Sequence, residues 1–135
     1  MAAYVLDSFA LLALFQDEPG AVRVAGLFES AIAGEDVLSM SYLHLGEVLY
    51  TVTARYGAQA RRRALARIDL SPITIMPVTR PLALSAARIK NGRGMDYVDA
   101  HVVALALDMG AIVVTGDPDF ERIESMVAID WLPQP

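Results

Sequence analysis

The sequence predicts an α/β fold: a three-layer α/β/α sandwich whose central sheet is mostly parallel and has four to five strands. Three observations carry that expectation. Short apolar runs alternate with longer segments of helical period along the whole chain, the pattern of strands joined by crossover helices. Several of these runs, such as Ile112 to Val114, are nearly all apolar, as in strands covered on both faces. The hydrophobic share of 55% and the mean hydropathy of +0.41 are high, which suggests buried helices, a doubly covered sheet or a subunit interface. At 135 residues the chain has the length of one domain, residues 1–135, and can close a core without disulfides or a structural metal.

The elements follow in order. Ala3 to Leu6 is an apolar strand ending in Asp7-Ser8, either of which can cap a helix from Phe9 to Gln16. After the break at Asp17-Glu18-Pro19-Gly20, Val24, Leu27, Phe28 and Ile32 recur at helical spacing in a helix from Ala21 to Ala33 that ends near Gly34. Asp36 to Met40 is the second strand, and Ser41 to Tyr56 a largely apolar helix stopped at Gly57. Gln59 to Ile68 continues as a helix bearing Arg61, Arg62, Arg63 and Arg67. Ile73 to Met76 is a strand bounded by Pro72 and Pro77. Thr79 to Lys90 is helical, and Asn91-Gly92-Arg93-Gly94 reads as a loop. Tyr97 to Met109 is a helix ended by Gly110, with Val98, Val102, Leu105 and Ala106 on one stripe. Ile112 to Val114 and Val127 to Trp131 are the last strands. There is no internal repeat, low-complexity segment or domain linker.

Composition narrows the function classes. No apolar stretch approaches the roughly 18 to 20 residues that span a bilayer. The N-terminus has no basic region and carries Asp7 within its apolar stretch, unlike a secretory signal, so the expected location is cytoplasmic. With no cysteine, thiolate zinc sites and disulfides are excluded. The net charge of −5 argues at first sight against nucleic acid as a partner. Setting aside four acids of a candidate site leaves 12 acidic residues against 11 Lys plus Arg. A concentrated acidic site in a near-neutral surface suits a polyanionic substrate only when cations occupy it.

Those four acids are Asp7, Glu47, Asp99 and Asp117. In parallel α/β sheets ligands bind beyond the carboxyl ends of the strands. Asp7 closes the first strand, Asp117 follows the Ile112 to Val114 strand, and Asp99 falls in the first turn of the helix leading into that strand. Each has a plainer reading. Asp7 alone is a helix cap, Glu47 alone an exposed residue of a good helix former. Asp99 complements a helix dipole, and Asp117-Pro118 initiates a turn. Glu47 nonetheless lies among Leu43, Leu45, Val48, Leu49 and Val52, which favours partial burial. Several carboxylates in one pocket repel one another unless their pKa values rise or a divalent cation neutralises them. An all-oxygen, thiol-free set suits Mg²⁺ or Mn²⁺, and such ions activate water for phosphodiester hydrolysis. Asp96 and Asp119 are weaker candidates. His44 and His101 could be metal ligands or a general base, but each sits in an apolar helix outside any paired-histidine motif, which favours structural or surface positions for both. Arg61 to Arg63 and Arg67 could contact RNA phosphates but read more simply as a solvated helix face, and Arg88, Lys90 and Arg93 are the cations better placed to meet substrate.

The ordered set Val5-Leu6-Asp7-Ser8, Gly46-Glu47-Val48, Asp96-Tyr97-Val98-Asp99-Ala100 and Val114-Thr115-Gly116-Asp117-Pro118-Asp119-Phe120 resembles the PIN domain, in particular toxin ribonucleases of the VapC type, over essentially the whole chain. The resemblance implies that Asp7, Glu47, Asp99 and Asp117 hold Mg²⁺ or Mn²⁺ for RNA cleavage, with Asp119 assisting and Ser8 or Thr115 orienting ligands or water. It also implies a homodimer, and inhibition by a cognate VapB-like antitoxin laid along the acidic groove. Two rival readings stand beside it. One is a PIN fold kept as a non-catalytic protein-binding module. The other is a receiver-like phosphoacceptor domain, which requires an Asp ending the third strand and a Lys after the last; neither is present.

Overall fold

Each apolar run forms a strand and each periodic segment a helix in the computed structural model, which describes residues 1–135. The chain runs β1 (Ala2–Leu6), α1 (Ser8–Phe15), α2 (Ala21–Ile32), β2 (Asp36–Ser41), α3 (Tyr42–Tyr56), α4 (Ala58–Asp69), β3 (Ile73–Met76), α5 (Arg80–Arg93), α6 (Tyr97–Met109), β4 (Ile112–Thr115), a 3-10 helix (Pro118–Ile123) and β5 (Ile129–Trp131). All strand pairs are parallel, in the order β3-β2-β1-β4-β5. This differs from the 2-1-3-4-5 order of receiver-type folds and removes that alternative.

The central strand shows why the sheet needs helices on both sides. Val5 pairs with Ser39 of β2 and Val113 of β4, while Leu6 pairs with Val114. Alternation sends Val5 and Val113 into one core with Ala86 and Ile89 of α5, the buried face of α6 and Phe120. Leu6 and Val114 point the other way, into a second core with Leu11, Val24, Leu27, Val48, Val52 and Ile68 from α1 to α4. The result is the expected three-layer α/β/α arrangement with five strands. No helix is long and apolar enough to cross a membrane.

Two boundaries depart from expectation. The segment Asn91-Gly92-Arg93-Gly94, read as a loop, is mostly helix: α5 continues through Arg93 and stops at Gly94. Gly92 weakens a helix interior by only about 1 kcal/mol. Gly94 is different, because it takes the left-handed conformation (φ 68°) and donates its N–H to the Lys90 carbonyl at 2.8 Å. The last strand begins at Ile129, not Val127. Met126 and Val127 instead donate back to the Ile123 carbonyl, closing the turn after the 3-10 helix.

Gly116 joins β4 to the 3-10 helix and has a steric reason to be glycine. A Cβ there would lie 2.2 Å from Cε1 and 2.3 Å from Cζ of the Phe9 ring. The bare backbone lets α1 pack against the exit of β4, where Asp117 is placed. Gly116→Ala should therefore destabilise the protein by about 1 to 3 kcal/mol, as overpacking does. Denaturant unfolding checks this, and stability within 0.3 kcal/mol or so of wild type would show that the Phe9 contact is not tight.

Candidate active site

The direction of chain progression reverses between β1 and β4: β2 and β3 add on one side of β1, β4 and β5 on the other. Loops leaving two adjacent strand ends diverge at such a point and open a crevice. Asp7 follows β1 and Asp117 follows β4, so the topology delivers both to that crevice.

Asp7 is only 2% exposed. One carboxylate oxygen caps α1 by accepting from Ala10 N at 3.1 Å. The other accepts from the Thr115 hydroxyl, whose oxygen in turn accepts from Asp117 N at 3.0 Å. The β1 and β4 exits are thereby tied through three side and main chains. Burial pushes the Asp7 carboxyl up to about 7, opposed by the bonds from Thr115 and Ala10 and by charge on His44, and assisted by the charge on Asp99.

Glu47 reaches the crevice from α3. Its Oε1 accepts from the Ser8 hydroxyl at 3.3 Å and its Oε2 from the Tyr50 hydroxyl at 3.4 Å. Its side chain is partly buried, 26% exposed, and turned toward Ser8 and His44 rather than fully to solvent. Its charge raises the Tyr50 phenol above the usual tyrosine range. Asp99 enters from the first turn of α6 and is also half-buried. Asp117 caps the 3-10 helix by accepting from Asp119 N at 2.9 Å. Its carboxyl is raised by burial first, with the charges of Asp119 and Asp99 adding to the shift. Asp119 is exposed at the rim, and Asp96 is exposed at the start of α6 without a side-chain capping bond.

Two overlapping donor groups emerge, each with ligand atoms within 4.8 Å of one another: Asp99, Asp117 and Asp119, and His44, Glu47 and Asp99. Asp99 belongs to both. Asp7 belongs to neither, and each of its oxygens accepts a hydrogen bond within the fold. Ser8 and Thr115 likewise spend their hydroxyls on Glu47 and Asp7.

His44 is the residue whose surroundings the sequence could not show. It is fully buried, yet it faces the carboxylates: Nε2 lies 3.5 Å from Glu47 Oε1 and 3.7 Å from Asp99 Oδ1, and neither ring nitrogen has a hydrogen-bond partner. Its apolar neighbours Leu43 and Leu45 hid this. The available signal was the three-residue spacing to Glu47, which puts both on one helix face. His101 is buried in α6 against the Tyr97 ring, and burial holds it below the usual histidine range. The cations Lys90 and Arg93 are engaged with the Met95 carbonyl at 3.3 Å and Ser125 at 3.2 Å. Arg67 lies over the Phe15 ring.

This donor set fits a divalent cation. Four acids crowd one crevice, burial raises the Asp117 carboxyl among them and that of neighbouring Asp7, and a buried imidazole nitrogen lies without a hydrogen-bond partner beside Glu47 and Asp99.

A family model described as the PIN domain matches residues 4–125. No curated protein sequence matches significantly. Among solved structures the chain is similar to VapBC2 from Rickettsia felis bound to a DNA fragment from its promoter (TM-score 0.77, 17% identity, 97% of this chain and 99% of that one). It is also similar to DNA-bound VapBC from Salmonella typhimurium (TM-score 0.72, 20% identity, 96% and 98%). The Sarcin-Ricin loop cleaving toxin VapC20 from Mycobacterium tuberculosis is a third (TM-score 0.69, 25% identity, 87% and 92%).

The Asp7 shift has a definite sign. A carboxyl at 3.8 when unfolded and about 7 when folded binds more protons in the folded state between those values, so its contribution to stability is full below 3.8 and lost as pH rises through 7. Asp7→Asn cannot ionise. In metal-free protein, the melting temperature of Asp7→Asn minus that of wild type should grow from pH 4 to 7 and level off above. A difference independent of pH would show that Asp7 is not the buried acid described.

Proposed function

Because the chain belongs to the PIN domain family, we propose that it is a Mg²⁺- or Mn²⁺-dependent endoribonuclease that hydrolyses RNA phosphodiester bonds, acting as the toxin of a toxin–antitoxin pair. The observation that carries this reading is the meeting of Glu47, Asp99, Asp117 and Asp119, from three separate parts of the chain, at the strand-order reversal.

Asp7, Glu47, Asp99, Asp117 and Asp119 are the residues that would hold the cation, Asp7 from outside the two tightest donor groups. When bound, it supplies Lewis-acid polarisation of the scissile phosphate and a water of lowered pKa. The chain's own groups do the rest. Ser8 and Tyr50 fix the Glu47 carboxylate by donating to its two oxygens. Asp7 and Thr115 hold the β1 and β4 exits together and so set the separation of Asp117 from the α3 and α6 acids. Arg61 shares an open groove with Gly46 and Tyr50, one and three residues from Glu47 in the chain, where it can meet a phosphate of bound RNA.

The same acidity suits the partner. A basic side chain of a VapB-like antitoxin, laid into the crevice, would neutralise the carboxylates and block RNA at once. The VapBC neighbours support that kind of partner. The exposed Tyr42, Tyr50, Leu84 and Leu107 are compatible with a homodimer.

Purified chain freed of partner should cleave RNA with Mg²⁺ or Mn²⁺ and be silent in EDTA. Asp117→Asn and Glu47→Gln should each lower the single-turnover rate by about 10²-fold or more, the scale of losing one group that stabilises developing charge, with little loss of folding stability. Metal-independent cleavage, or unchanged rates in both variants, would overturn the mechanism.

A further inference from the structure

His44 supplies an observation that an all-carboxylate site does not require. Its ring is fully buried at the start of α3, and both nitrogens lack a hydrogen-bond partner. A polar ring taken out of water normally finds partners within the protein. Nε2 faces Glu47 Oε1 at 3.5 Å and Asp99 Oδ1 at 3.7 Å, too far for a good hydrogen bond. The distances have another meaning. Neighbouring donors around a six-coordinate ion with bonds of about 2.1 Å stand roughly 3 Å apart. The ligand atoms of His44, Glu47 and Asp99 already lie within 4.8 Å of one another, close enough to converge on one ion.

We propose that His44 Nε2 is a metal ligand, joining Glu47 and Asp99 in a mixed nitrogen–oxygen set that makes this site prefer Mn²⁺ over Mg²⁺. Mg²⁺ is a hard ion that takes oxygen ligands in near-ideal geometry, whereas first-row transition ions accept imidazole. The second group, Asp99, Asp117 and Asp119, offers oxygen only, so any selectivity for a nitrogen-accepting ion originates at His44. The backbone supports the role. Ser41 caps α3 by accepting from Leu43 N at 3.2 Å, which fixes the first turn of the helix and with it the direction of the His44 side chain. This inference rests on the metal reading of the carboxylate site and goes beyond it in naming a ligand and an ion.

The test uses the whole chain, purified metal-free and loaded with Mn²⁺. Pulsed EPR of wild type should show ¹⁴N modulation from a coordinated imidazole, replaced by the ¹⁵N pattern when histidine is ¹⁵N-labelled. In His44→Asn, whose amide offers oxygen in place of nitrogen, the nitrogen signal should vanish. Calorimetric titration should then show the Mn²⁺-over-Mg²⁺ preference reduced by about tenfold or more. Should that variant fail to fold, His101→Gln takes its place, and there the nitrogen signal should persist; its loss would overturn the His44 assignment. Bound Mn²⁺ without nitrogen coupling would overturn the His44 assignment and leave the carboxylate site standing. Nitrogen coupling that persists in His44→Asn would move the ligand to another histidine and also overturn it. No Mn²⁺ binding at millimolar concentration would overturn the metal reading and this inference together.

Discussion

Asp7 carries a carboxylate into the interior at the one place where the sheet changes direction, and much of the site depends on how that group is held. Its two hydrogen bonds serve different elements: the bond from Ala10 N starts α1, and the bond from the Thr115 hydroxyl clamps the exit of β4 to the exit of β1. Thr115 passes the constraint on to Asp117 N, so the position of Asp117 is inherited from Asp7. Burial of the ionised form is nevertheless unfavourable, which is why the carboxyl is pushed up to about 7. A cation in front of Asp7, held by Asp99 and its neighbours, would relieve that cost and favour the charged state. Structure and electrostatics thus oppose one another in the metal-free protein and agree in the loaded one.

The crowding of acids also resolves an apparent conflict in composition. A chain with net charge −5 is a poor candidate for binding a polyanion by its average field. Its acids are not evenly spread, however: Glu47, Asp96, Asp99, Asp117 and Asp119 act on one region, as the mutual effects on Tyr50 and Asp117 indicate. A site of that kind repels RNA when empty of cations and attracts phosphate oxygens when they are present. Under the proposed function, the negative field of the cation-free site is also what would draw a basic antitoxin segment.

Most of the fold was legible because local and global signals agree in it. Asp7, Ser41 and Thr79 cap helices in the places their residue types favour, and the apolar runs from Ala3 and Ile112 are buried on both faces. Boundaries were misread where a glycine had two meanings: Gly92 interrupts nothing, while Gly94 two residues later ends α5. At the site, Asp7 and Asp117 could be placed from strand ends alone. Glu47 could not, since its direction depends on α3 packing against α1 and on the bond from Ser8. His44 was the least legible, because a histidine among leucines reads as core until a long-range neighbour such as Asp99 is known. Long-range convergence has no signature in local periodicity.

The central claim is that the carboxylates at the β1–β4 reversal are a cation site. Anomalous diffraction from crystals soaked in Mn²⁺, recorded at the manganese edge, examines it without reference to activity. The account expects a peak in contact with the Asp99 carboxylate, in front of Asp7 and between α3, α6 and the 3-10 helix. Well-ordered crystals with Mn²⁺ in excess and no peak at Asp99, or with peaks only at acids elsewhere on the surface, would contradict it.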